Sequence, residues 1–206
     1  MTIRVHKGDL PDDLDLGPIV AIDTETLGLE VARDRLCVVQ LSRGDGSADI
    51  VQIAREQPRA PNLEKLLGDP NVLKLFHFGR FDMATLCHAF GVMPAPVYCT
   101  KIASKVARTY TDRHGLKDLV RELLGVEISK QQQSSDWGAE TLTDAQLAYA
   151  ASDVLYLHAL REKLDAMLAR EGRDGLARAA FGYLPDRVRL DLAGFEAMDV
   201  FSHASP

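Results

Sequence analysis

The chain has 206 residues, of which 46% are hydrophobic and 26% are charged, and these are ordinary values for a globular protein. The length suffices for one domain with a sizeable core, and the composition excludes disordered and fibrous proteins. A net charge of -6 argues against a protein that coats long nucleic acid by electrostatics alone, because that mode needs many basic side chains on phosphates. It does not exclude a nucleic-acid enzyme whose acids bind cations.

Targeting signals and cysteine patterns both point to the cytoplasm. No window reaches the roughly eighteen uninterrupted apolar residues of a membrane helix, and the first ten residues lack the apolar core of a signal peptide. The three cysteines, Cys37, Cys87 and Cys99, are widely spaced and form no CxxC pair. They are typical of small buried residues in a reducing compartment. We therefore expect a cytoplasmic protein with no membrane partner.

The first part of the chain is rich in strand patterns. TIRVHKG at 2–8 is a short candidate strand, and the apolar run GPIVAID at 17–23 predicts a buried strand. RLCVVQLSRG at 35–44 and GSADIVQI at 46–53 follow across polar or Gly- and Asp-rich turns, which predicts an antiparallel meander. VLKLFHF at 72–78 predicts one further strand.

Helical patterns begin in the middle of the chain and then dominate it. A short helix is predicted with Asn62 as N-cap and Gly68 as its end, and RFDMATLCHAFG predicts a helix closed by Gly91. The periodicity then predicts helices over 100–108, 116–125 and 143–172, the last with Thr143 as N-cap and about seven turns long. The final stretch, 181–206, is less regular and contains Pro185.

This order of elements predicts an α/β fold, with a central mixed sheet flanked by helices. No repeat or linker divides the chain, so we expect a single domain over 1–206. The segment from about 171 to 206 is expected to pack on that domain or on a neighbouring subunit.

Two carboxylates follow the second predicted strand in the stretch IVAIDTETLGLE. Residues two apart on a strand share a face, so Asp23 and Glu25 point the same way. Side by side they repel, and a hard divalent cation such as Mg²⁺ or Mn²⁺ would remove that conflict. On this spacing alone, the favoured interpretation is a turn that Asp23 caps and a solvated Glu25, because D-x-E is a common pattern.

Two further motifs favour the cation site. HFGRFD carries Asp82 just after a predicted strand, in the first turn of a helix. YAASD places Tyr149 and Asp153 four residues apart, hence on one helix face. A helix cap would explain Asp82 alone and a surface acid would explain Asp153 alone. Asp153 lies in an apolar stretch, however, where an unpaired buried acid would be costly.

These three motifs resemble those of the DEDD superfamily of 3'-to-5' exonucleases, in the branch with a tyrosine in its third motif. D-x-E is matched by DTET, the second motif by HFGRFD and Y-x-x-x-D by YAASD. The ribonuclease D-like pattern extends over about 23–160 and implies a ribonuclease H-like (DnaQ-like exonuclease) fold. Many members have an asparagine after the histidine of the second motif, where this chain has Phe78 and Gly79.

Ribonuclease D proper continues into helical HRDC domains, and we expect none in the 46 residues after Leu160. The chain is most similar to the nano-RNase C family of alphaproteobacteria. That resemblance implies a two-metal-dependent exoribonuclease that degrades short oligoribonucleotides, including dinucleotides, to nucleoside 5'-monophosphates, and a homo-octamer. It implies that Tyr149 orients the attacking water and that four carboxylates hold two Mg²⁺ or Mn²⁺ ions: Asp23, Glu25, Asp82 and Asp153.

Six residues near the motifs are expected to contact the substrate: Thr24, Thr26, Leu27, His77, Phe78 and Phe81. Leu27 is a candidate wedge against a base, and either phenylalanine could stack on one. His77 could bond a phosphate or a ribose hydroxyl, or be a buried histidine at a strand end.

The roles of a basic face and of the single tryptophan stay open. Lys101, Lys105 and Arg108 share one helical face, which is either solvated or in contact with phosphate or a neighbouring subunit. Trp137 resembles the DW element of ribonuclease D-like sequences, and we expect a structural role for it.

Three other functions use the same fold. A DNA exonuclease would share all the chemistry, because nothing in the motifs reads a 2'-hydroxyl. A non-catalytic binding module and a plain structural protein are the alternatives from other classes. The presence of all four acids and the tyrosine favours an enzyme.

Overall fold

The centre of the computed structural model, which describes residues 2–57, 59–129 and 131–203, is a mixed six-stranded sheet. Its strands are β1 (Thr2–Lys7), β2 (Ile19–Thr26), β3 (Leu36–Ser42), β4 (Ser47–Gln52), β5 (Leu73–Phe76) and β6 (Val97–Cys99), in the spatial order β1-β4-β3-β2-β5-β6. The predicted meander is confirmed, since β3 is antiparallel to β2 and β4, whereas the pairs β1–β4, β2–β5 and β5–β6 are parallel. The short β6 was not predicted.

Helices cover this sheet, which confirms the predicted α/β class. They are α1 (Pro61–Gly68), α2 (Arg80–Phe90), α3 (Thr100–Ala107), α4 (Leu116–Leu119), α5 (Asp144–Leu155), α6 (Leu157–Arg170) and α7 (Asp174–Leu190). A π-helical turn follows α4 at Val120–Leu124, and another follows α7 at Asp191–Phe195. None of the helices in the described ranges has the length and apolar character that a membrane span requires.

Alternation along β2 and β3 separates two layers of the core. Asp23 pairs with Gln40 and Glu25 with Val38, so these side chains share one face of the sheet. On that face Val38 belongs to a small apolar cluster that includes Ala150 of α5. Residues of opposite parity, such as Val39 and Leu41, belong to the main core. The two acids of β2 therefore lie on the side of the sheet that α5 covers.

The N-terminus of α1 differs from the prediction. Asn62 lies in the first turn of α1, and Ala60 is the N-cap residue. The carboxylate of Asp9 accepts the backbone N–H groups of Asn62 and Leu63, at 2.8 and 2.9 Å. A side chain more than fifty residues earlier in the chain thus satisfies the free N–H groups, which local sequence patterns cannot reveal. The predicted end at Gly68 is confirmed.

The single helix predicted over 143–172 is wrong, because the chain breaks it at Tyr156 (φ -102°, ψ -6°) into α5 and α6. Helix α5 packs on β2, β3 and β4, whereas α6 packs on α3 and β5. His158, at the start of α6, donates a hydrogen bond to the Ile19 carbonyl at 3.1 Å. The break lets each half pack on its own partners, a tertiary constraint that the helical period does not report.

The irregular stretch predicted from residue 181 is also wrong as far as Leu190, because α7 runs through Pro185. Ala177, Phe181, Leu184 and Val188 are buried at intervals of three or four residues, which is an apolar stripe of helical period. Helix α7 uses it to pack against α2, α3 and β6. This burial outweighs the hydrogen bond that Pro185 cannot donate. Residues 204–206 of the predicted tail lie outside the described residues.

The cap of α5 gives a testable prediction, because this helix carries Tyr149 and Asp153. Thr143 Oγ1 accepts the Gln146 N–H at 3.2 Å, and Gln146 Oε1 accepts the Thr143 N–H at 3.0 Å, as a capping box. Thr143→Ala should lower the free energy of unfolding by about 1 kcal/mol, measured by urea denaturation. The exposed Thr141 provides the matched control, and equal losses in Thr143→Ala and Thr141→Ala would contradict the prediction.

Candidate active site

Three carboxylates converge where β2 meets α5. Asp23, Glu25 and Asp153 each place one carboxylate oxygen within 4.8 Å of the others. The strand period puts the first two on the α5 side of the sheet, and α5 presents Asp153 to them. The pairing register shifts by one residue after Glu25, and such bulges re-aim side chains next to functional sites. The arrangement offers several oxygen ligands to one small volume.

The fourth predicted acid, Asp82, approaches from the first turn of α2 and is buried. Its Oδ1 accepts both the backbone N–H of Thr24, at 3.1 Å, and the Thr24 hydroxyl, at 2.7 Å. The strand that carries Asp23 and Glu25 therefore also holds Asp82. Thr24 was predicted to contact the substrate, but its hydroxyl is engaged with this carboxylate.

Burial and mutual repulsion make the site a poor place for bare carboxylates. Burial and the charges of Asp153 and Asp82 raise the pKa of Glu25 to about 9. Burial raises the pKa of Asp82 to about 7 against the opposing hydrogen bonds from Thr24. Burial and the charges of Asp82, Asp153 and Glu25 hold the pKa of Asp23 well above its ordinary range. Burial and repulsion disfavour the ionised form of these carboxylates. A hard divalent cation would compensate their charge, so the set of oxygen donors fits such an ion.

Tyr149 lies one helical turn before Asp153 and borders the same cleft. Burial and the charges of Asp153, Glu25 and Asp23 raise the pKa of its hydroxyl, which also bonds to Asp153. Its ring contacts that of Trp137, with centroids 5.9 Å apart. Trp137 itself is only 3% exposed, in keeping with the structural role expected for it. The structure thus brings together all five residues predicted for catalysis.

The cleft beside these residues has a volume of about 800 Å³. All six predicted substrate residues line it: Thr24, Thr26, Leu27, His77, Phe78 and Phe81. Leu27 is 54% exposed at its rim, and Leu29, which was not predicted, is 81% exposed there. Ser129, Gln133 and Ser134, which were not predicted, reach the cleft from the loop that precedes the DW element. The available sequence signal for Leu29 was a second leucine two residues after Leu27, in the LGL run that follows the first motif.

The second motif adopts an unusual backbone. Phe78 is not a glycine yet has φ 64°, a left-handed conformation that costs about 1–3 kcal/mol. A Cβ atom on Gly79 would lie 2.5 Å from Phe76 Cβ, so this position requires glycine. The turn leaves the Phe78 ring 50% exposed, with Lys101 Nζ 3.9 Å from its centroid. Where many sequences of this pattern have an asparagine, the chain presents an aromatic face.

His77 is oriented by α3. The Thr100 hydroxyl donates to the Phe76 carbonyl at 3.2 Å, so it accepts a hydrogen bond from His77 Nδ1 at 2.9 Å. This pattern places the proton on Nδ1 in the neutral ring. The sequence predicts either a substrate contact or a buried histidine at a strand end. His77 is partly buried and also lines the cleft, so it has features of both.

The predicted basic face does not form as one surface. Arg108 is buried and makes an ion pair with Glu122, and it also donates to the Arg113 carbonyl at 3.0 Å. The reason is that Arg108 is the first residue after α3, where φ -110° and ψ 61° turn it off the helix face. Lys101 lines the cleft, and Lys105 is exposed.

Comparison with known proteins shows similarity to 3'-5' exonucleases. A family model described as 3'-5' exonuclease matches residues 9–169. A ribonuclease D of Gluconacetobacter diazotrophicus is 40% identical over 156 residues, which cover 76% of this chain and 39% of that protein. The chain therefore spans about two fifths of the length of the ribonuclease D relatives that it matches.

Solved structures match almost the whole chain. Brucella melitensis NrnC with bound Mg²⁺ is 60% identical with a TM-score of 0.95, over 99% of this chain and 100% of that one. The same Brucella protein bound to pGG is 61% identical with a TM-score of 0.96, over the same shares of both chains. These neighbours have the ribonuclease H-like exonuclease fold, which confirms the predicted fold class.

The raised pKa values predict how stability depends on pH in the absence of metal. The pKa of Glu25 is about 4.5 in the unfolded chain and about 9 in the folded one, so the folded state binds more protons between these values. In EDTA, the free energy of unfolding should therefore fall as pH rises from about 5 to about 8. Mg²⁺ should oppose the fall, because it takes the place of the protons.

Urea denaturation at several pH values measures this slope. Glu25→Gln should flatten it, whereas Glu30→Gln, at an exposed acid five residues on, should leave it unchanged. A stability that rises over the same range in EDTA would contradict the prediction.

Proposed function

The chain belongs to the 3'-5' exonuclease family, with relatives of the ribonuclease D type, and from this premise we propose a two-metal-dependent exoribonuclease. Its substrates would be short oligoribonucleotides, including dinucleotides, and its products nucleoside 5'-monophosphates. The observation that carries the proposal is the convergence of three carboxylates within 4.8 Å, with Asp82 and Tyr149 beside them. The likeness to a Brucella protein bound to pGG supports a short substrate.

The four carboxylates would hold two divalent cations, Mg²⁺ or Mn²⁺, which neutralise charge on the phosphate and lower the pKa of the attacking water. The chain's own contribution is to orient the ligands. Gln40 Nε2 donates to Asp23 Oδ2 at 3.2 Å, and Thr24 donates twice to Asp82 Oδ1. Asp23 and Asp82 are therefore each held by a neutral donor, which adds no opposing charge to the site.

Tyr149 would position the attacking water. In the reaction a water oxygen bonds to phosphorus, the bond to the 3' oxygen of the penultimate nucleotide breaks, and that oxygen takes up a proton. Because its pKa is raised, the Tyr149 hydroxyl stays protonated at neutral pH. Tyr149 would therefore act through hydrogen bonds, as a group that orients the water.

The apolar residues of the cleft would hold the bases. Leu27 is exposed enough to act as a wedge, and the Thr26 hydroxyl donates to the Gly28 carbonyl within the turn that carries it. Phe81 and Phe78 offer rings for stacking. Lys101 covers one face of the Phe78 ring, so only one base could stack there. His77 would bond a phosphate or a ribose hydroxyl.

We further propose that residues 1–206 form one exonuclease domain that assembles into a homo-oligomer, an octamer by likeness to the nano-RNase C family. Apolar side chains near the C-terminus support this assembly: Leu192, Phe195, Met198, Val200 and Phe201 are 41–69% exposed. Exposed apolar groups so close together are typical of an interface. The cytoplasmic location remains an expectation from the sequence.

Catalysis by the five central residues can be tested on a 5'-labelled dinucleotide with Mg²⁺ or Mn²⁺. Asp153→Asn should abolish cleavage, because it removes a ligand charge. Tyr149→Phe should lower kcat by about 10²-fold or more with Mg²⁺ binding retained, since only an orienting hydroxyl is lost. Tyr156→Phe, at a partly buried tyrosine outside the cleft, is the matched control. Full activity in Tyr149→Phe would show that the hydroxyl has no such role.

Substrate class needs a separate comparison. Wild-type protein should turn over a dinucleotide with a higher kcat/KM than a longer RNA, and a DNA strand of matched sequence should be slower still. A preference for DNA would favour the repair or proofreading exonuclease. No cleavage of any of them, with metal bound, would favour the non-catalytic module.

The assembly can be tested by light scattering on purified protein. The wild type should have the mass of several chains, and Met198→Ser with Phe201→Ser should lower that mass, because the change removes two exposed apolar contacts. Lys105→Ser with Arg178→Ser, at exposed cationic positions elsewhere, is the control. A monomeric wild type would contradict the proposed assembly and leave the proposed chemistry intact.

A further inference from the structure

We propose that Trp137 is a positioning residue, which sets the orientation of the Tyr149 ring in the cleft. This inference rests on the proposed function in one respect, because it requires that the Tyr149 hydroxyl assist hydrolysis. It goes further in assigning a role in the reaction to a residue outside the three acidic motifs, for which the sequence predicts only a structural role.

The two rings are in direct contact. Their centroids lie 5.9 Å apart with an interplanar angle of 39°, within the range of favourable tilted aromatic pairs. Trp137 is buried among Cys37, Val38 and Ala150, between the sheet and α5. The partly buried Tyr149 packs on the edge of this cluster. The indole therefore forms the fixed wall against which the tyrosine ring rests.

The loop that carries Trp137 is tied to the same helix as Tyr149. Gln146, one turn before Tyr149 on α5, is buried and donates to the Asp136 carbonyl at 3.0 Å. Just beyond the tryptophan, the Glu140 carbonyl accepts a hydrogen bond from Lys7 Nζ at 2.8 Å. These bonds anchor the loop to α5 on one side and to β1 on the other. The position of the indole is thus set independently of any ligand in the cleft.

Tyr149 is held at two points, one at its ring and one at its hydroxyl. Its hydroxyl bonds to Asp153, and its ring rests on Trp137. Asp153 is one of the residues that would hold a cation, and its carboxylate would then be shared between the cation and the hydroxyl. The ring contact does not involve the cation, so loss of the indole should misdirect the hydroxyl when the site is loaded.

The indole acts through its shape. Within the part of the chain that the structure describes, the buried Trp137 Nε1 has no hydrogen-bond partner. No polar contact would therefore be lost if another aromatic ring took its place. Trp137→Phe should keep most of the ring contact, whereas Trp137→Leu should keep apolar character and remove it.

Steady-state kinetics on the dinucleotide with Mg²⁺ test the proposal. Trp137→Leu should lower kcat by about tenfold, with KM changed less than about threefold, because an orienting interaction is lost while binding is kept. Trp137→Phe should restore kcat to within about threefold of wild type. Calorimetry should show unchanged Mg²⁺ binding in both variants.

A double-mutant cycle separates positioning from a general structural role. If Trp137 acts through the Tyr149 hydroxyl, Trp137→Leu should change kcat by less than about twofold in a Tyr149→Phe background. An equal tenfold loss in both backgrounds would overturn the inference, and so would wild-type kcat in Trp137→Leu. Wild-type kcat in Tyr149→Phe would instead overturn the role proposed for the tyrosine.

Fluorescence provides a test that does not need Trp137 to be replaced. Trp137 is the only tryptophan of the chain, so its emission reports this contact in the intact protein. Tyr149→Leu should shift the emission maximum or change its intensity, whereas the control Tyr156→Leu should not. Identical spectra for wild type and Tyr149→Leu would show that the rings do not meet in solution, and would overturn the inference even if Trp137→Leu failed to fold.

Discussion

Repulsion among buried carboxylates is the interaction on which the rest of this site depends. Asp23 and Glu25 share one face of β2 because a strand repeats every two residues, and α5 closes that face with Asp153. No fold gains stability by collecting acids in this way. The neighbours of the acids are accordingly neutral donors, such as Thr24 and Gln40, which orient the charges and leave them for a cation.

Much of the site could be predicted because the acids that repel one another lie on regular elements. The period of two along β2 and the period of 3.6 along α5 determine which acids share a face, and both periods are legible in the sequence. Asp82 was predicted from its place just after a strand, and the structure adds the bond to Thr24 that holds it. The five residues proposed for catalysis could be predicted because each lies in one of three sequence motifs, and because local geometry decides which way its side chain points.

The features that escaped prediction depend on contacts between distant segments. Asp9 caps α1 across more than fifty residues, and Arg108 turns inward to meet Glu122. One part of the cleft wall belongs to the same class, since the loop around Gln133 reaches the cleft only through the tertiary fold. A sequence motif predicts the structure of one element. A cleft forms between several elements, so its full lining cannot be read from any one motif.

The break at Tyr156 lets α5 pack on the sheet without following the direction of the helices after it. The match to the exonuclease family ends at residue 169, within the last turn of α6, so α7 and the exposed apolar residues after it lie beyond the common core. Because α5 ends at Leu155 and packs on the sheet by itself, a change in the tilt of α7 need not rotate Tyr149 or Asp153. The C-terminal layer can therefore change its exposed surface while the helix that carries Tyr149 and Asp153 keeps its place on the sheet, so the geometry of the acidic site is separate from the surface that this layer presents.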